Sequence, residues 1–353
     1  MAIKDISTSN GSLHYLPELN ALRALAVIMT LLAHFSPVEI PYMWYGVPVF
    51  FTLSGFLITT ILLLNLQRNE TRLVVIKNFV VRRVLRLFPV YYLFLLFFLL
   101  AKRFLGLYLW KDDYTLYLFT YTPNLLMAKK GASYLGCFEH LWSLGVEEQF
   151  YLFWPWLLIF SRPKFRIPLI AVMCVIPFVT IYLDPERAKN GVFPFHTLGV
   201  GAILACLYVR QDAAISWLKE KRSWIFGLTF LHLLIVLILF NEKFKWWYMY
   251  REFALCLCTF SIVLVSVFGW RGVVGYISRN KQVQYIGLIS YGIYLFHMPV
   301  PFVYRAIAAR AFPSVHLSPM VFLLLCFGIT FTLAALSYKY IETPFLKMKR
   351  FFE

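Results

Sequence analysis

Arg23 and His34 stand eleven residues apart in the stretch Leu19–Ser36, which is otherwise apolar enough to lie in lipid. Eleven helical steps of about 100° overshoot three turns by roughly 20°, so both side chains share one helix face, about 16 Å apart along the axis. An ionisable residue at membrane depth is costly and usually faces the bundle interior, where it marks a functional pathway. The pair equally fits a plainer reading, a basic anchor at one end and a satisfied interfacial histidine at the other.

Three further groups could do chemistry. Of the seventeen Asp and Glu residues, Glu147 and Glu148 are the two set well inside an apolar run. On a helix His140, Ser143, Glu147 and Tyr151 form a polar stripe at i, i+3, i+4 spacing, while Glu148 shares a side with Leu141, Leu144 and Leu152. Glu147 is therefore expected to point inward, to meet His34 in the outer half of the membrane if the two helices are neighbours; an internal salt bridge for packing is the alternative. His297 shares a face with Ser290 and Tyr294, as a site residue or as a member of the aromatic belt. Arg82-Arg83-Val-Leu-Arg86, followed by Tyr91 and Tyr92, sets Arg83 and Arg86 together at a membrane entry. Paired guanidinium groups with aromatics nearby suit phosphate and a purine ring, and also suit an ordinary positive-inside anchor. His232 sits mid-segment without polar neighbours and reads as packing.

The elements that must position these residues are transmembrane helices. A chain of 353 residues that is 61% hydrophobic and 14% charged, with a mean hydropathy of +0.70, is not a soluble globule. Apolar runs fall near 22–37, 46–66, 87–105, 141–160, 167–183, 194–209, 223–240, 252–269, 283–304 and 318–338, which predicts an all-α bundle of about ten transmembrane helices. Placing the N-terminus and every second loop inside gathers 22 of the 34 Lys and Arg there, Lys4 and Arg68 among them, so both termini are expected in the cytoplasm. The division is a tail over 1–20, one integral domain over 21–345 and a second tail over 346–353. The net charge of +17 is spread over short loops, which argues against a nucleic-acid partner. The six cysteines spell neither a disulfide framework nor a metal site, and no cleavable signal is read. The external stretch from Gly106 to Glu139 is the longest connection and is expected to form a cap or a re-entrant element.

Arg23 with His34, Gly46-Val-Pro-Val-Phe-Phe-Thr-Leu-Ser54-Gly55, Arg83-Val-Leu-Arg86-Leu-Phe-Pro, Trp142-Ser-Leu-Gly-Val-Glu147-Glu-Gln-Phe-Tyr, Ser290-Tyr-Gly-Ile-Tyr-Leu-Phe-His297 and Tyr340-Ile-Glu-Thr-Pro-Phe occur in this order over almost the whole chain. Together they resemble the acyltransferase-3 family of integral-membrane O-acyltransferases. The resemblance implies a donor, acyl-CoA with acetyl-CoA as the default, and an acceptor hydroxyl on an extracytoplasmic glycan or glycolipid such as lipopolysaccharide or exopolysaccharide. It implies a bacterial cytoplasmic (inner) membrane protein and no metal. By the same resemblance Arg23, Arg83, Arg86 and Ser54 serve the donor, and His34, Glu147 and His297 serve catalysis. His34 would then be the general base and Glu147 the group that holds its tautomer, with a covalent acyl group on His34 or Ser54 as a variant. Pro48 departs from the family, many members of which carry Asp there, and no fused esterase-like domain is expected. A proton-coupled transporter or flippase is the reading from another class, since intramembrane His and Glu also build proton relays; against it, no inverted repeat with paired Gly and Pro breaks is visible.

Overall fold

A computed structural model describes residues 15–38, 40, 43–67, 71–106, 109–183, 194–239, 246–311 and 317–352. Most of the expected N-terminal tail, with Lys4 in it, and Arg68 lie outside the described residues. Those that are described are helical, with no strand among them. Helices α1 (Pro17–Phe35), α2 (Gly46–Leu66) and α3 (Arg72–Leu105) come first, followed by short helices α4 (Tyr114–Phe119) and α5 (Pro123–Lys130). Next are α6 (Leu141–Phe160), α7 (Pro163–Leu183), α8 (Phe195–Arg210), α9 (Ala213–Leu239) and α10 (Trp247–Val267). The rest comprises α11 (Gly272–Ser278), α12 (Lys281–Leu288), α13 (Ser290–Phe296), α14 (Pro299–Ala311), α15 (Pro319–Ser337) and α16 (Thr343–Met348).

Seven of the described helices are long and apolar enough to cross a membrane, and they coincide with seven of the ten apolar runs. The other three runs are helical too, and each departs for a physical reason. The polar stripe of α6 dilutes its hydropathy. At 16 residues, α8 spans about 24 Å, short of a ~30 Å hydrocarbon core. The run over 283–304 is broken into α12, α13 and α14 around His297, two residues before Pro299, which cannot donate to a helix ladder. Polarity and breaks of this kind are tolerated where protein, not lipid, surrounds the segment.

The centre of the bundle is α2, which packs against α1, α3, α6, α8 and α10. Its closest approach is to α8: a Cβ on Gly55 would lie 1.9 Å from the Leu198 carbonyl oxygen, and one on Gly201 would lie 2.0 Å from that of Thr52. Without a hydrophobic drive between helices in lipid, such backbone contact is what holds them together. By contrast α7 and α9 lie at the periphery, with apolar residues facing out. His232 is exposed on α9, not packed in the core as the sequence suggested.

The long connection between α3 and α6 is inserted into the bundle. Trp110, Tyr114, Leu118 and Phe138 are buried in one core with α3 and α13. Its irregular backbone is satisfied from the helices around it: the hydroxyls of Tyr91 and Tyr92 on α3 donate to the carbonyls of Leu118 (2.8 Å) and Phe119 (3.0 Å), and Gln149 on α6 donates to that of Tyr121 (2.9 Å). The α2–α8 contact makes a prediction. Gly55→Ala should lose about 1–3 kcal/mol or more to overpacking, read as a lower thermal unfolding midpoint in detergent. Gly227→Ala on α9, with open space around it, should leave the midpoint unchanged or slightly raised; equal losses at the two positions would refute the close contact.

Candidate active site

The helix rotation that lays Gly55 on α8 turns its neighbour Ser54 about 100° away, toward α6. There the Ser54 hydroxyl donates to one Glu147 carboxylate oxygen at 2.8 Å, and Tyr151, one turn further along α6, donates to the other at 3.1 Å. Arg83 of α3 lies over the rings of Phe79 and Tyr151, 5.4 Å from each centroid. Arg23, Ser54, Arg83, Arg86, Glu147 and Tyr151 line one cavity, whose remaining walls are Val47, Phe50, Phe51, Leu87, Ser143, Leu144, Ser290, Tyr291 and Tyr294. Five of the seven residues singled out from sequence therefore meet in one space.

The two histidines among the seven meet elsewhere. His34 and His297 are not among the cavity's lining residues; their rings contact each other edge to face, centroids 4.8 Å apart, and His140 adds a third ring 5.0 Å from His297. Trp44 covers His34 at 4.6 Å from the side of the α1–α2 connection. Tyr294 joins the two places. It lines the cavity, its ring lies 5.3 Å from His297, and its hydroxyl shares a 2.6 Å hydrogen bond with Ser143, another lining residue.

The expectation that Glu147 holds His34 is corrected by these partners. Glu147 is met by the Ser54 and Tyr151 hydroxyls, whereas His34 Nδ1 lies 2.9 Å from the carbonyl of Thr30, one turn back on its own helix. A carbonyl can only accept, so Nδ1 of the neutral ring carries the proton and Nε2 keeps its lone pair. His297 is held the same way, Nδ1 at 2.5 Å from the Tyr294 carbonyl, with its buried Nε2 unpartnered. His140 takes the opposite tautomer, Nε2 donating to the carbonyl of Leu295 at 3.0 Å. Such an arrangement provides bases at one end and anion-binding groups at the other.

Sequence reasoning missed Trp44 and Tyr291 and gave His140 no role beyond the start of the stripe. It also undercounted the buried carboxylates, since Glu18, Glu252 and Glu342 are buried as well. Each lies near the end of its segment, where hydropathy cannot distinguish an inward acid from a loop residue. Glu18 is paired with Arg279 at 2.7 Å, and Glu252 with Arg251 at 3.0 Å and His196 at 3.3 Å, so both read as ties between helices. Glu148 lines a second cavity, which Arg83 and Tyr151 also line. Among the described residues no group of three or more His, Cys, Asp or Glu could hold a metal ion.

A multi-pass helix bundle that encloses a charged cavity is the class these features define. The chain belongs to the acyltransferase-3 family, whose description, an acyltransferase domain, matches residues 16–339. It is similar to the peptidoglycan O-acetyltransferase OatA of Listeria monocytogenes, 28% identical over 366 residues that cover 96% of this chain and 57% of the relative. It resembles a putative O-acetyltransferase of Staphylococcus aureus, also at 28% identity, covering 96% of this chain and 59% of that one. With the putative peptidoglycan O-acetyltransferase YrhL of Bacillus subtilis it shares 30% identity over 94% of this chain and 55% of the relative. The chain thus spans somewhat more than half the length of these relatives. No solved structure matches it.

The Ser54–Glu147 bond can be measured as a coupling. A double-mutant cycle of Ser54→Ala and Glu147→Gln, read by thermal unfolding of the purified protein, should give an interaction energy of about 0.5–3 kcal/mol. Additivity within about 0.3 kcal/mol would place the partner of the carboxylate elsewhere.

Proposed function

We propose that the chain is a membrane O-acyltransferase that moves an acyl group, acetyl by default, from cytosolic acyl-CoA to a hydroxyl of an extracytoplasmic cell-envelope glycan. The observation that supports it best is the run of contacts from an arginine-lined cavity, through the rings of Tyr294 and His297, to His34, whose Nδ1 is anchored on a carbonyl. Among envelope glycans the relatives' names favour peptidoglycan over the lipopolysaccharide or exopolysaccharide suggested by the resemblance.

In this reading both termini and the Arg23–Arg83–Arg86 end of the cavity face the cytoplasm, and His34 lies toward the outer face. Guanidinium groups bind the donor's phosphates through charge-assisted, bidentate hydrogen bonds. The aromatic and aliphatic wall formed by Phe50, Phe51, Val47 and Leu144 suits the uncharged arm that carries the thioester. The acceptor arrives past Trp44, which is exposed. His34 Nε2 takes the proton of the acceptor hydroxyl as its oxygen attacks the thioester carbonyl; the C–S bond breaks, and the departing thiolate takes the proton back from the imidazolium. The ring ends neutral, and ester and free thiol account for every atom. His297, fully buried against His34, holds that ring in place.

The hydroxyls of Ser54 and Tyr151 hold the Glu147 carboxylate in place, so its part is to organise the arginine end. The test is acyl-CoA consumption by the full chain in detergent or nanodiscs, with acetyl-CoA and peptidoglycan oligosaccharides as substrates. His34→Ala should lower turnover by about 10²–10⁴-fold, the usual worth of a general base, with an unchanged unfolding midpoint. Full turnover by that variant would remove His34 from the reaction.

A further inference from the structure

Arg83 and Tyr151 line both cavities, so the two spaces share a wall. The second lies between α3, α6 and the segment inserted between them, which contributes Phe119, Thr120 and Tyr121. Its surface is mainly aromatic, with Phe79, Phe88 and Tyr92 of α3 joining Phe119, Tyr121 and Tyr151 around it. These rings brace one another: Phe88 stacks on Tyr121 with centroids 5.4 Å apart and meets Tyr92 edge to face at 5.3 Å. A wall of this kind suits either an apolar chain or a flat ring.

Two polar groups decide between those occupants. Among the described residues no hydrogen bond or ion pair meets the Glu148 carboxylate, whereas Glu147 beside it has two hydroxyl donors. A carboxylate within a membrane-spanning helix is costly until something donates to it. Tyr121 is 7% exposed, and its hydroxyl is buried without a partner. Its backbone lies at φ +54°, a left-handed conformation that tyrosine seldom adopts, and Gln149 of α6 holds it there by donating to the Tyr121 carbonyl at 2.9 Å. A hydrocarbon chain would leave the carboxylate and the phenol unsatisfied. A flat heterocycle with an amino group satisfies both, the amine donating to Glu148 and a ring nitrogen accepting from Tyr121. Arg83, in the shared wall, sets a phosphate-binding group beside that heterocycle.

We propose that the second cavity is the base site of the acyl donor. It takes the adenine ring of coenzyme A among its aromatic side chains, with Glu148 accepting from the exocyclic amine. The phosphates then lie at Arg83, and the thioester arm occupies the first cavity. The inference rests on the acyl-CoA reading given above and deepens it, and it separates the parts of two adjacent acids: Glu147 organises the arginine end, and Glu148 reads the base.

Calorimetric binding to the purified full-length chain, without turnover, tests this with two ligands. One is coenzyme A; the other is its analogue with hypoxanthine in place of adenine, which presents a carbonyl where adenine presents the amine. Wild type should bind the analogue at least about tenfold more weakly, as expected when a hydrogen bond to a charged group is lost. Glu148→Gln should weaken coenzyme A binding by about tenfold and bind the two ligands within about threefold of each other, because an amide can either accept or donate. The wild-type comparison needs no variant to fold. Binding of both ligands by wild type within twofold, or weakening of both by one common factor in Glu148→Gln, would overturn the base site while leaving the donor reading intact. Absence of coenzyme A binding by wild type would overturn both.

Discussion

Charged groups held inside a bundle that hydrocarbon surrounds must find their compensation within the protein, and the rest of this structure is arranged around that requirement. Arg23, Arg83, Arg86 and Glu147 come from three helices and face one cavity. None of those helices could carry its charge alone in lipid. Each therefore depends on α2, which is narrow enough at Gly55 to lie against α8 on one side and to present Ser54 to Glu147 on the other. The irregular insertion between α3 and α6 obeys the same rule in its uncharged form, its carbonyls taken up by tyrosine hydroxyls and by Gln149.

Much of this was legible in the sequence because a helix converts spacing into direction. The i, i+3, i+4 stripe on α6 placed Ser143, Glu147 and Tyr151 on one face, and all three line the cavity. The eleven-residue interval on α1 put Arg23 and His34 on one face, although the structure gives them to opposite ends of the site. What spacing cannot supply is which helix stands next to which. Glu147 was assigned to His34 because both were the conspicuous groups of their segments; the intervening α2 brought Ser54, a residue that hydropathy treats as neutral, within reach instead. Periodicity also fails where the helix does. The run over 283–304 reads as one span, yet its break at His297 is what frees the Tyr294 carbonyl to hold the imidazole. At the C-terminus, loop-charge counting gives Lys347, Lys349 and Arg350 one role, and only the fold distinguishes the half-buried Lys349 from the exposed Lys347 and Arg350.

The choice of a peptide carbonyl over a carboxylate as the anchor of His34 has a physical logic in this setting. A carboxylate beside the ring would fix the tautomer and also stabilise the imidazolium, adding a second buried charge that would itself need compensation. A carbonyl fixes the tautomer without adding charge, so the resting histidine end is neutral and its desolvation cost small. Packing against His297 and Trp44, with His140 behind His297, then keeps the lone pair on Nε2 away from competing donors, while His34 alone of the three histidines stays partly accessible. Formal charge is thereby confined to the arginine end, where an anionic ligand can complete the balance, and neutral bases occupy the other. The proposed transfer, from a neutral hydroxyl to a neutral ester and thiol, would need charge only in passing at that second end, which a base anchored by a dipole can accommodate inside a membrane.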